Sequence, residues 1–159
     1  MSNTYINALI ESLEKKIEIL DQIHLRDEEQ LAIAKTTPFS YEDFDKNTED
    51  KDVLIYKLNK LDEGFELVYE KVREELSANK PKYTSEIKIM QSLITKITEK
   101  SASIQAEEQR NKLAMEQAFR NEKTRLKTQR SGVKAVKSYT QTMRGGAPEA
   151  YLGVMDTKK

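Results

Sequence analysis

Two proline-bearing breaks, Thr36-Thr37-Pro38 and Asn79-Lys80-Pro81, divide the chain into three long stretches whose apolar residues recur in alternating steps of three and four. Such steps lay one narrow apolar stripe along a helix, whereas a half-buried strand needs strict alternation. Proline closes each stretch because it has no backbone N–H to donate and pushes its predecessor out of the helical region. The first stripe reads Ile6, Ile10, Leu13, Ile17, Leu20, His24, Leu31 and Ala34. The second runs through Leu54, Leu58, Leu61, Phe65, Val68, Val72 and Leu76, and the third through Tyr83, Ile87, Met90, Ile94, Ile97 and Ile104. Helices are therefore expected over about residues 3–35, 41–78 and 83–127.

The start of the second helix is marked on several counts. Ser40 stands where a side-chain oxygen can accept from a free backbone N–H, and Asp43 sits at the third helical position. Phe39 and Phe44 are spaced as the two halves of a hydrophobic staple across that start. Gly64 is the only glycine inside the three stretches, at a cost of roughly 1 kcal/mol relative to Ala. Turns of a few residues make neighbouring helices run antiparallel. The expected fold is thus all-α, an elongated antiparallel three-helix bundle or coiled coil in up-down-up order. Residues 1–130 form the bundle, and 131–159 form a short C-terminal amphipathic helix and flexible tail.

Beyond Ile104 the third stripe turns polar at Ser101, Glu108 and Asn111, and its apolar members thin to Met115, Phe119 and Leu126. A helix of some 45 residues, about 65 Å long, would outrun its neighbours and leave that end uncovered. Four of the 5 glycines, Gly132, Gly145, Gly146 and Gly153, lie after residue 131. Between them Val133, Val136, Tyr139 and Met143 keep helical spacing. An apolar stripe on a segment tethered outside a bundle is suited to docking a partner. The expected partner-binding residues are therefore Met115, Phe119, Leu126, Val133, Val136, Tyr139 and Met143.

Net charge is +0 overall, yet residues 1–80 hold 19 acidic and 11 basic side chains while residues 81–159 hold 8 acidic and 16 basic. Either the third helix pairs with the first two, or the basic end meets an acidic partner, and both hold together without conflict. Cys is 0, so disulfides, thiolate nucleophiles and sulfur-ligated metals are excluded. Met1 to Asn7 carries no basic patch leading into an apolar core, and no window approaches 18 uncharged apolar residues. A soluble, cytoplasmic protein without stable membrane insertion is expected.

No catalytic constellation emerges. His24 is the only histidine, and with Asp21 it resembles half of a carboxylate-bridged di-metal site, which needs a second such pair. Asp27-Glu28-Glu29 and Glu74-Glu75 read as solvated faces, since acid–base catalysis requires a cleft that desolvates one carboxylate. No glycine-rich phosphate loop, nucleophile elbow or zinc spacing occurs. Hence no enzyme activity, metal, cofactor or small-molecule substrate is expected. Lys123, Arg125, Lys127, Arg130, Lys134, Lys137 and Arg144 form a basic run with one aromatic among them. That is too sparse for nucleic acid or an anionic membrane.

Several strings, in order, resemble the FlgN family of flagellar export chaperones of the clostridial kind, over about Leu9 to Lys159. They are Leu13-Glu14-Lys15-Lys16 through Leu20-Asp21, Lys51 to Leu61 followed by Asp62-Glu63-Gly64-Phe65-Glu66, Ser101-x-x-Ile104-Gln105-x-x-Glu108-x-x-Asn111-Lys112, and Met155-Asp156-x-Lys158-Lys159. The resemblance implies a cytoplasmic chaperone that holds hook-associated proteins, prevents their premature assembly and delivers them to components of the type III export apparatus. It also implies substrate contact through the carboxy-terminal part, which falls here on Val133, Val136, Tyr139 and Met143. The alternative from composition alone is a structural coiled-coil spacer or adaptor with no export substrate.

Overall fold

The computed structural model describes residues 2–130; the expected docking positions Val133, Val136, Tyr139 and Met143 lie outside them. Three helices, α1 (Ser2–Lys35), α2 (Tyr41–Ala78) and α3 (Thr84–Arg130), make up nearly all of this span, and the fold is all-α. The first break ends where α2 begins. There the Asp43 N–H donates to Ser40 Oγ at 3.1 Å and the Phe44 N–H donates to the Ser40 carbonyl at 3.1 Å. One side chain thus caps an N–H that no earlier helical turn can satisfy. The staple closes as well, with the Phe39 and Phe44 ring centroids 6.0 Å apart.

At the second break Lys80–Tyr83 tightens into a single 3-10 turn with proline near its start. Glu75 Oε1 gathers this turn, accepting from Asn79 Nδ2 and from the Tyr83 hydroxyl, each at 3.0 Å. Tyr83 is 1% exposed, so its hydroxyl finds a partner while its ring joins the core.

Among the described residues the helices pack as two units, one of residues 2–26 with 48–104 and the other of residues 27–47 with 105–130. In the first, Ile6, Leu9, Leu13 and Leu20 of α1 meet Val72 and Leu76 of α2 and Met90 and Ile97 of α3, with Tyr83. Leu9 is completely enclosed, and one such leucine contributes about 1.5–3 kcal/mol. The surface of this unit carries Lys16 Nζ to Asp62 Oδ1 at 2.7 Å and Lys100 Nζ to Asp21 Oδ1 at 2.6 Å. Exposed pairs of this sort contribute about 0–1 kcal/mol each.

The phase of two stripes differs from the expected one. On α1 the inward residue after Leu20 is Ile23, and His24 points to solvent. On α3 the inward residue after Met90 is the half-buried Leu93, and Ile94 is 47% exposed. A step of three fits the 3.6-residue turn as well as a step of four, and the neighbours decide which is taken. Gly64 lies on an exposed face of α2 with nothing within 4 Å of where its Cβ would stand. Gly64→Ala is therefore expected to raise stability by about 1 kcal/mol, read as a higher urea midpoint with unchanged slope.

The second unit has an aromatic core. Phe39, Phe44, Met115, Ala118 and Phe119 are buried together, with Ile33, Ala34 and Tyr41 packed on them. Beside it lies a polar interior. Asn111 is fully buried, and its Nδ2 donates to the Asp27 carbonyl at 2.8 Å and to Gln30 Oε1 at 3.1 Å. Asp27, Gln30, Asn47 and Glu108 are also buried, and Asn47 Nδ2 donates to Glu29 Oε1 at 3.0 Å. The third stripe therefore faces inward at Glu108 and Asn111 as well, and at Asn111 hydrogen bonds offset the desolvation.

Candidate interaction surfaces

Met115, Phe119 and Leu126, expected as an uncovered docking stripe, are 0%, 7% and 6% exposed. Phe119 is enclosed by its own chain: its ring meets Phe39 at 5.5 Å and Phe44 at 6.0 Å edge to face, and stacks on Tyr41 at 6.2 Å. All three are buried, and for Met115 and Phe119 residues around the first break supply the cover that the stripes of the two earlier helices do not. Three of the four phenylalanines are spent here, and the pair Phe39 and Phe44, read from the sequence only as a staple at the start of α2, also serves as a lid for α3.

The acidic runs also divide. Asp27 is buried, whereas Glu28 and Glu29 are exposed, and Glu28 Oε1 receives Arg110 Nη2 at 3.3 Å. Glu75 is half-buried in the second turn, whereas Glu74 is solvated. The solvated reading is thus corrected for Asp27, whose position follows α1 inward one turn after Ile23. No described helix is long and apolar enough to cross a membrane.

What the first unit leaves open lies elsewhere. Leu25 and Val53, 56% and 53% exposed, flank a shallow depression of about 370 Å³ between α1 and α2, lined also by Gln22, Arg26, Asp50 and Leu54. Arg26 Nη1 stands 3.9 Å from Asp50 Oδ2 along it. A second depression of about 390 Å³ follows the groove between α2 and α3, with Phe65, Tyr69, Leu76, Ile87, Met90 and Ile94 as its apolar lining. Its charged lining residues, Arg73 and Lys80, are both cationic. Phe65 and Tyr69 also line a neighbouring depression rimmed by Asp62, Glu66 and Glu70. These surfaces can hold apolar or helical partners, because desolvated anchors inside a polar rim supply affinity. The α2–α3 groove escaped sequence reading because Ile94 was assigned to the core. Comparison of the chain with protein-family models, curated proteins and solved structures found no match.

Proposed function

We propose that the chain is a cytoplasmic flagellar export chaperone of the FlgN kind, which binds hook-associated subunits, keeps them from assembling early and passes them to the type III export apparatus. The observation that carries a binding role is that, among the described residues, four of the eight large apolar side chains left exposed line charge-rimmed depressions, Leu25 and Val53 in one and Tyr69 and Ile94 in another. Gathered apolar surface marks protein interaction, whereas single exposed leucines do not. The family itself is supported by the ordered strings from Leu13 to Lys159.

The scaffold in this reading is an up-down-up antiparallel bundle. It is supported by the pairs Lys16 with Asp62 and Arg26 with Asp50, in which advancing along α1 means retreating along α2. The capture stripe is Val133, Val136, Tyr139 and Met143, since Met115, Phe119 and Leu126 are used internally. The basic run from Lys123 onward favours acidic flanks on the captured helix, and the weak, reversible contact of a short amphipathic stripe suits handover.

Co-expression with the flagellar hook-associated subunits is expected to give a stoichiometric complex on sizing. Val136→Asp combined with Tyr139→Asp is expected to weaken that complex at least tenfold while helicity is unchanged. A complex indifferent to both changes removes the capture stripe from the proposal. The lack of any complex, with self-association only, favours the coiled-coil spacer.

A further inference from the structure

We propose that the face of α2 from Asp62 to Ser77, continued by Lys80 of the turn that follows, is a dimer interface covered by the same face of a second copy of this chain. The two depressions along it share Phe65 and Tyr69, so they form one continuous surface. Among its acidic residues those rings lie nearly parallel, 9° apart in tilt with centroids 6.1 Å apart, and Tyr69 remains 42% exposed. Across the groove Ile94 of α3 adds an apolar wall that is 47% exposed.

The charged residues that line the two depressions are ordered along the chain. Asp62, Glu66 and Glu70 rim the beginning of this face, and Arg73 and Lys80 line its end. A two-fold axis brings a surface against its own reverse, so an isologous contact must be self-complementary. A beginning that is acidic and aromatic, set against a basic end, meets that condition in charge. With the axis near Arg73, Glu66 of one copy comes opposite Lys80 of the other, and the helical part of the face, from Asp62 to the end of α2, spans about 24 Å at 1.5 Å per residue. Glu66 and Lys80 form no ion pair among the described residues, so both are available. Asp62 is already held by Lys16 at 2.7 Å and Glu70 by Arg73 at 3.4 Å. The latter pair also offsets the approach of two arginines near the axis.

Sedimentation equilibrium of the full chain tests the interface. The expected result is a concentration-dependent dimer that weakens as salt rises. Glu66→Lys and Lys80→Glu are each expected to weaken it about tenfold, a reversal of sign that costs complementarity twice in a two-fold contact. The double variant E66K/K80E is expected to return within about threefold of the original, because each changed end again meets its opposite. Ile94→Asp is expected to give monomer with unaltered circular dichroism, its position being half solvated already. A monomer at every concentration overturns the proposal, including one whose groove instead binds a synthetic amphipathic helix. So does a dimer indifferent to these changes, or one that the double variant fails to restore. Capture of hook-associated subunits is scored separately and stands or falls on its own.

Discussion

Phe44→Ala is expected to destabilise the unit formed by residues 27–47 and 105–130 by about 3–5 kcal/mol, the cost of emptying a large aromatic site that cannot collapse. Phe44 is 0% exposed and lies 6.0 Å, centroid to centroid, from both Phe39 and Phe119. Its loss strips two ring contacts, each adding about 0.5–1.5 kcal/mol beyond buried area. It also opens the staple at the start of α2, so the helix end and the core weaken together. Urea unfolding followed by circular dichroism measures the change, with Leu25→Ala as a control at a 56% exposed position, expected within about 0.5 kcal/mol of the parent. A Phe44→Ala loss no larger than the control's would mean that the aromatic cluster contributes little to stability.

Asn111→Ala is the second large effect, expected at about 1–3 kcal/mol because it removes a buried donor from acceptors that were shaped around it. Its Nδ2 serves the Asp27 carbonyl and Gln30 Oε1 at once, and its Oδ1 accepts from Arg110 Nε at 3.1 Å. Arg110 in turn reaches Glu28, so one amide ties α3 to α1 through buried and surface partners together. A double-mutant cycle of Asn111→Ala with Gln30→Ala isolates the direct bond. Coupling of about 0.5–3 kcal/mol is the range found for residues in one network. Additive losses would show that each side chain acts through packing alone.

Phe44 and Asn111 specify the second unit in different ways. An aromatic cluster supplies undirected burial energy, which tolerates sliding between helices. A buried amide with two assigned acceptors does not tolerate sliding, since any other register leaves it desolvated without partners. Asn111 thus resists a register shift that Met115 and Phe119 by themselves would resist less.

The chain's covalent order determined its local structure. The helix ends follow from signals confined to a few neighbouring residues: Pro38 and Ser40 at the first turn, Asn79 and Pro81 at the second. A cap or a missing N–H acts within one turn, so no distant residue is needed to locate it. The heptad-like stripes likewise marked most of the first unit's core, from Ile6 and Leu13 to Val72 and Met90.

Tertiary structure decided what faces inward where the local pattern allowed two answers. Ile23 over His24 and Leu93 over Ile94 are choices of phase, set by which side the neighbouring helices occupy. Ile94 became part of a groove as a result. The burial of Met115 and Phe119 depends on Phe39 and Phe44, roughly 70–80 residues away in sequence, and a stripe on one helix carries no record of so remote a lid. Nor did polarity at Asn111 reveal its depth: a polar side chain at a stripe position means solvent unless donors and acceptors converge on it, and convergence is a property of the assembled helices.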